Sequence, residues 1–208
     1  MKQFCSLIFI LLGSCFAQAN EWTLVWSDEF DYVGSPNEAK WDYEQGFVRN
    51  RELQYYTKAR KENARVENGN LIIEARKETW PNPAYQPDSQ AARWQRAREY
   101  ANFTSASLIT KGKASWTYGR VEVRAKLPTG RGVWPAIWML GMNIDQVGWP
   151  TCGEIDIMEY VGFDPNTVYA NVHMAKYNHV KGTGKGSKIT ADKPYMSFHV
   201  YAIEWTPE

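Results

Sequence analysis

The stretch Gly153-Glu154-Ile155-Asp156-Ile157-Met158-Glu159-Tyr160 decides how this chain is read. Three carboxylates lie close together, and Ile and Met fill the gaps between them. Branched and apolar residues of this kind favour a strand. Alternate side chains on a strand point to the same face. Glu154 and Asp156 therefore share one face, and Ile155 and Ile157 share the other. Plain alternation would send Glu159 in among the isoleucines, where an unpaired carboxylate is costly. A β-bulge near Ile157-Met158 adds one residue and returns Glu159 to the carboxylate face. Three like charges on one face need water around them. The acids alone leave two readings open, a working site and the solvated face of an ordinary sheet.

The neighbouring residues favour the working site. Trp149-Pro150 precedes the acids, Tyr160 and Gly162 follow them, and Trp134-Pro135-Ala136-Ile137-Trp138 lies just upstream. Glycosidic-bond hydrolysis uses a pair of carboxyl groups, and flat aromatic rings can serve as platforms for sugar faces.

The block Gly153 to Gly162 resembles the active-site strand of glycoside hydrolase family 16. The spacing from Asp156 to Glu159 is similar to the laminarinase-like branch, while the lichenase-like branch has one residue fewer. The resemblance runs from about Trp26 to the C-terminus. It takes in Leu53-Gln54-Tyr55-Tyr56, Leu71-Ile72-Ile73-Glu74-Ala75-Arg76 and Tyr118-Gly119-Arg120-Val121-Glu122-Val123-Arg124-Ala125-Lys126-Leu127-Pro128. It implies a β-jelly roll with a concave sheet forming the substrate cleft. It also implies that Glu154 is a nucleophile and Glu159 a general acid/base, in a retaining mechanism. Asp156 is expected to hydrogen-bond the nucleophile, and its negative charge to help keep Glu159 protonated.

The activity implied is endo-hydrolysis of β-1,3 bonds in laminarin-like glucans. Mixed-linkage glucan and marine galactans such as agar or carrageenan are the alternative substrates. A non-catalytic glucan-binding protein is the alternative from another class, and the presence of all three acids argues against it. Trp149, Trp134 and Trp138 are the expected sugar platforms. Asn50, Arg76 and His173 are further substrate-binding residues, although Arg51 stands where relatives more often carry Asn. Trp22, Trp26, Trp41 and Trp205 read as core. Many relatives hold a structural calcium, for which Glu29 and the Gly69 carbonyl are the matching groups here. No cofactor is expected for the carboxylate chemistry itself.

The N-terminus reads as an export signal. A basic start, an apolar run from Phe4 to Phe16 and Ala17-Gln18-Ala19 mark a secretory leader over residues 1–19. The run is too short to span a bilayer, which takes about 20 apolar residues. Leu12-Gly13-Ser14-Cys15 also fits a lipoprotein box, which would anchor the chain through Cys15. A secreted or periplasmic location is expected, with lipid anchoring as the alternative. Residues 20–208 then form one glycoside hydrolase domain, expected to be monomeric. They keep only Cys152, so an internal disulfide is excluded and the fold must rest on its core. Lys and Arg number 24 against 23 Asp and Glu, a balance that gives no general attraction to nucleic acid or acidic membranes.

Short β-rich runs separated by Gly, Pro, Asn and Asp predict an all-β antiparallel sandwich. The predicted strands are Thr23–Trp26, Glu52–Tyr56, Asn63–Glu67, Leu71–Arg76, Ser105–Thr110, Gly119–Leu127, Ala136–Leu140, Glu154–Tyr160, Val168–His173 and His199–Trp205. Residues 80–104 read as one long loop, and Gly182, Gly184 and Gly186 as another. Relatives continue for several strands beyond Trp205, so the C-terminal strands are expected to be missing.

Overall fold

The computed structural model describes residues 22–87 and 93–207. The predicted leader and Cys15 lie outside the described residues. Thirteen strands dominate the described residues. They are β1 (Asp42–Tyr43), β2 (Gln54–Tyr56), β3 (Ala64–Glu67), β4 (Asn70–Ile73), β5 (Arg76–Pro81), β6 (Tyr100–Ser105) and β7 (Leu108–Ile109). There follow β8 (Gly119–Ala125), β9 (Ala136–Leu140), β10 (Glu154–Tyr160), β11 (Thr167–His173), β12 (Lys185–Thr190) and β13 (His199–Trp205). Among the described residues, helix is confined to one turn, α1 (Ile144–Val147), and two 3-10 turns at Trp94–Arg96 and His179–Lys181. No helix among the described residues is long and apolar enough to cross a membrane.

The strand bearing the acids sits inside a four-stranded antiparallel sheet of order β12-β11-β10-β9. Behind it lies the antiparallel pair β8–β13, in register from Gly119↔Trp205 to Ala125↔His199. The two layers close on one core. Ile157, Met158 and Tyr160 from β10 meet Val168 from β11, Tyr201 from β13 and Leu127, with Val121, Ile137 and Ile155 packed around them. The core thus fills the reverse face of the sheet, and the acids take the front.

A second polar-cored region joins β3, β5 and β6. Asn63 is fully buried at its centre. Its amide oxygen accepts from Thr57 Oγ1 at 2.8 Å and from Arg60 at 2.9 Å. Its amide nitrogen donates to the Glu74 carbonyl and to Thr104 Oγ1, both at 3.0 Å. Arg60 also pairs with Glu78, which Thr104 contacts in turn. These bonds depress the Glu78 pKa to about 2, the Arg60 hydrogen bond first and the Thr104 bond second.

Several expectations need correction. Thr23–Trp26 forms no strand; Trp22 is exposed, while Trp26 packs edge-on against Trp41 and Trp116. The run Leu71–Arg76 is broken at Glu74-Ala75, so Arg76 opens a new strand. The supposed loop 80–104 begins and ends in strand, because β5 extends to Pro81 and β6 starts at Tyr100. Gly186 belongs to the edge strand β12, whose Lys and Gly content hid it. One pair, β2–β6, is parallel.

Candidate active site

The acids lie on β10 as follows. Register on both sides of the strand breaks between Asp156 and Glu159 on the β11 side and between Asp156 and Met158 on the β9 side. This is the bulge, and its effect is visible in the burial. Ile157 and Met158 are consecutive and both enter the core, at 8% and 1% exposure. Two residues spent on the same face restore Glu159 to the other one.

Paired strands place directly opposite residues on a common face. On β11, His173 lies opposite Glu154 and Asn171 opposite Asp156; on β9, Trp138 lies opposite Asp156. Glu159 is held from two sides. Asn171 Nδ2 donates to its Oε2 at 2.6 Å, and Trp134 Nε1 donates to its Oε1 at 3.1 Å. The Trp134 ring is otherwise half exposed, as a sugar platform requires. Its position follows from Gly162 just past β10. A Cβ there would sit 1.7 Å from the Gly130 carbonyl, so only glycine lets the 130–133 segment cross so closely.

Asp156 is the most buried of the three acids. Its pKa is pushed up to about 8, first by burial, then by the charges of Glu154 and Glu159, and last by a hydrogen bond with Glu154. At neutral pH Asp156 therefore carries a proton and offers it to Glu154. Desolvation of the charged form is greatest at this middle acid, so Asp156 adds less negative charge beside Glu159 than the sequence reading expects.

The remaining expected residues divide. His173 is buried, with Nε2 at 3.4 Å from Asp156 Oδ2 and 3.9 Å from Glu154 Oε1. Trp149 stacks beside His173 and His179, at centroid distances of 5.9 and 5.0 Å. It walls the site through histidines. Trp138 shares the acid face but is covered by the Arg49 guanidinium, 4.9 Å from its ring. Arg49 also pairs with Glu44. Asn50 is exposed, in a left-handed turn with φ 53°, and its contact is a long one to Glu52. The segment thus reaches the site through Arg49.

Arg76 pairs with none of the three acids. It is exposed, pairs with Glu74 at 2.5 Å, and lines a surface depression with Lys61, Glu62 and Arg65 that contains none of the three acids. A salt bridge at the start of β5 accounts for it. Glu29 and Gly69 are both exposed, and among the described residues Glu29 joins no group of three His, Cys, Asp or Glu able to share an ion. One carboxylate and one carbonyl fall well short of the six to eight oxygens calcium takes.

Asn171 and Arg49 were not found from the sequence. Asn171 had a signal, because it stands two residues before His173 and so shares its face. Arg49 had none, since only the tertiary fold brings it over Trp138.

Comparison with known proteins agrees with this geometry. Residues 51–208 match the family described as Glycosyl hydrolases family 16. The chain is 50% identical to a β-glucanase of Rhodothermus marinus, over all of this chain and 70% of that protein. It is 37% identical to a glucan endo-1,3-beta-glucosidase of Cryptopygus antarcticus, over 96% of this chain and 68% of the relative. Its fold superposes on the crystal structure of the laminarinase from Rhodothermus marinus with a TM-score of 0.78 and 55% identity, covering 90% of this chain and 69% of that one. The fold is the all-β jelly roll of those enzymes, and the chain belongs to family 16 of the glycoside hydrolases.

Proposed function

We propose that this chain is a secreted, endo-acting β-glucanase that cleaves β-1,3-glucosidic bonds of laminarin-like polysaccharides with retention of configuration. The observation that carries the reading is the bulge, which sets Glu159 on the face of Glu154 and Asp156 between two donors, Asn171 and Trp134. The relatives' names supply the substrate class, and the leader-like residues 1–19 support export. Cys15 lipidation is the alternative location.

In the first step a Glu154 oxygen bonds to the anomeric carbon as the bond to the leaving oxygen breaks, and Glu159 gives that oxygen its proton. In the second, Glu159 takes a proton from water, whose oxygen displaces Glu154 and frees the sugar. Protonated Asp156 donates to Glu154 in the resting site, steadying its carboxylate against the neighbouring charge. Trp134 and Trp149 flank the sugar path. No metal enters either step.

The test is a pair of substitutions. Glu154→Gln and Glu159→Gln each reduce reducing-sugar release from laminarin at least about 1,000-fold, with the unfolding midpoint unchanged. Added azide distinguishes the two roles: Glu154→Ala yields the α-glycosyl azide and Glu159→Ala the β-glycosyl azide. Near-normal turnover in either Gln variant overturns the assignment. Faster hydrolysis of lichenan, agarose or carrageenan than of laminarin replaces the substrate and leaves the mechanism standing.

A further inference from the structure

The same front face holds a second chemistry that sugar hydrolysis does not use. Ligand-capable atoms of Glu154, Asp156 and His173 all lie within 4.8 Å of one another. Acid clusters are common and carry no meaning alone, but this one has an independent mark. Asp156 is 5% exposed, and its Oδ2 is buried without a hydrogen-bond partner. That orphaned oxygen faces His173 Nε2 at 3.4 Å. A buried acceptor left bare in this way is costly unless something fills the gap.

The His173–Asp156 spacing is that of a zinc-like ion, and Glu154 closes by about 0.5 Å to join it. A tetrahedral centre with bonds of about 2.0–2.1 Å to nitrogen and oxygen has ligand-to-ligand edges of about 3.3–3.4 Å. The measured edges from His173 Nε2 are 3.4 Å to Asp156 and 3.9 Å to Glu154. One imidazole and two carboxylates match zinc and similar transition metals; magnesium and calcium prefer all-oxygen sets of six or more. Three protein ligands also leave a fourth position for water.

We propose that the substrate-free site chelates a zinc-like divalent cation through Glu154, Asp156 and His173, and that this ion competes with the glucan. Asp156 releases its proton to solvent when it becomes a ligand. The ion occupies the nucleophile's oxygen, so metal and sugar exclude each other. Trp149 and His179 pack against the imidazole and limit its rotation away from the acids. Binding of the ion does not depend on the proposed substrate; only the competition does.

Calorimetry of the full chain with zinc chloride in a non-chelating buffer tests it. The expected result is one zinc per chain, no heat with magnesium, and at least tenfold weaker binding in His173→Gln. Cys152→Ser keeps the wild-type affinity, which excludes that sequence neighbour as a ligand. Zinc-soaked crystals of the wild-type chain give a readout that needs no variant: anomalous density within about 2.0–2.2 Å of the three named atoms. Absence of binding, equal binding of magnesium, or density centred elsewhere overturns the proposal. If zinc binds as described but leaves the apparent KM for laminarin unchanged, the competition fails and the site stands.

Discussion

Two of the regions that bury polar side chains treat them in opposite ways. Around Asn63 each polar atom of the amide has partners, four bonds to Thr57, Arg60, Glu74 and Thr104. On the front of β10, three acids crowd together, Asp156 holds an uncomfortable proton, and Asp156 Oδ2 and His173 Nδ1 are buried without partners. The first arrangement stabilises the fold. The second costs stability and stays poised for a sugar. Conflict between local chemistry and folding is expected to gather where function is.

Substitutions should separate the two regions. Asn63→Ala leaves Thr57, Arg60, Thr104 and a carbonyl short of partners. It should destabilise the chain by roughly 3 kcal/mol in urea unfolding, with kcat of the surviving folded enzyme unchanged. A large loss of kcat at full stability would break the contrast.

Asp156 gives the opposite behaviour and a definite sign. Its pKa lies near 8 in the folded protein, above its ordinary value of 3.8. The stability it contributes is therefore complete below about pH 4 and is lost as pH rises toward 8. Asp156→Asn should remove that decline. Measured at pH 5 and pH 8, the wild type should lose on the order of 3 kcal/mol more than the variant. The variant should also turn over laminarin more slowly. An equal pH slope in both proteins would mean that Asp156 is already ionised.

The smallest expected effect sharpens the contrast within the site itself. Gly186 lies opposite Asn171, and a Cβ on it would stand 1.9 Å from Asn171 Oδ1. Gly186→Ala should swing that amide away from Glu159. The expected cost is about tenfold in kcat, or about 1.4 kcal/mol, with little change in unfolding midpoint. Unaltered kcat would show that Trp134 alone orients Glu159.

What the sequence disclosed follows the same division. Strands with alternating apolar residues, β10 and β13 above all, were legible to the residue, because their core faces impose the pattern. The bulge was legible because Glu159 had nowhere else to go. Strand β12 was not, since every residue of it is exposed and no apolar rhythm is required there. Arg76 was legible only as the residue at the end of an apolar run, and its pairing with Glu74 was not. The proton on Asp156 was beyond reach, as it depends on how deeply one carboxyl sits between Trp138 and Asn171.

The doubled inward pair Ile157-Met158 has one more consequence. Delete Met158, and the acids fall at every second residue of a regular strand, all still turned to the front. The strand can therefore change length by one residue without re-aiming any acid. The penalty lands behind the sheet, as a vacancy the size of a methionine side chain. Opposite the cleft, the core keeps count of the residues; the cleft tolerates the loss of one.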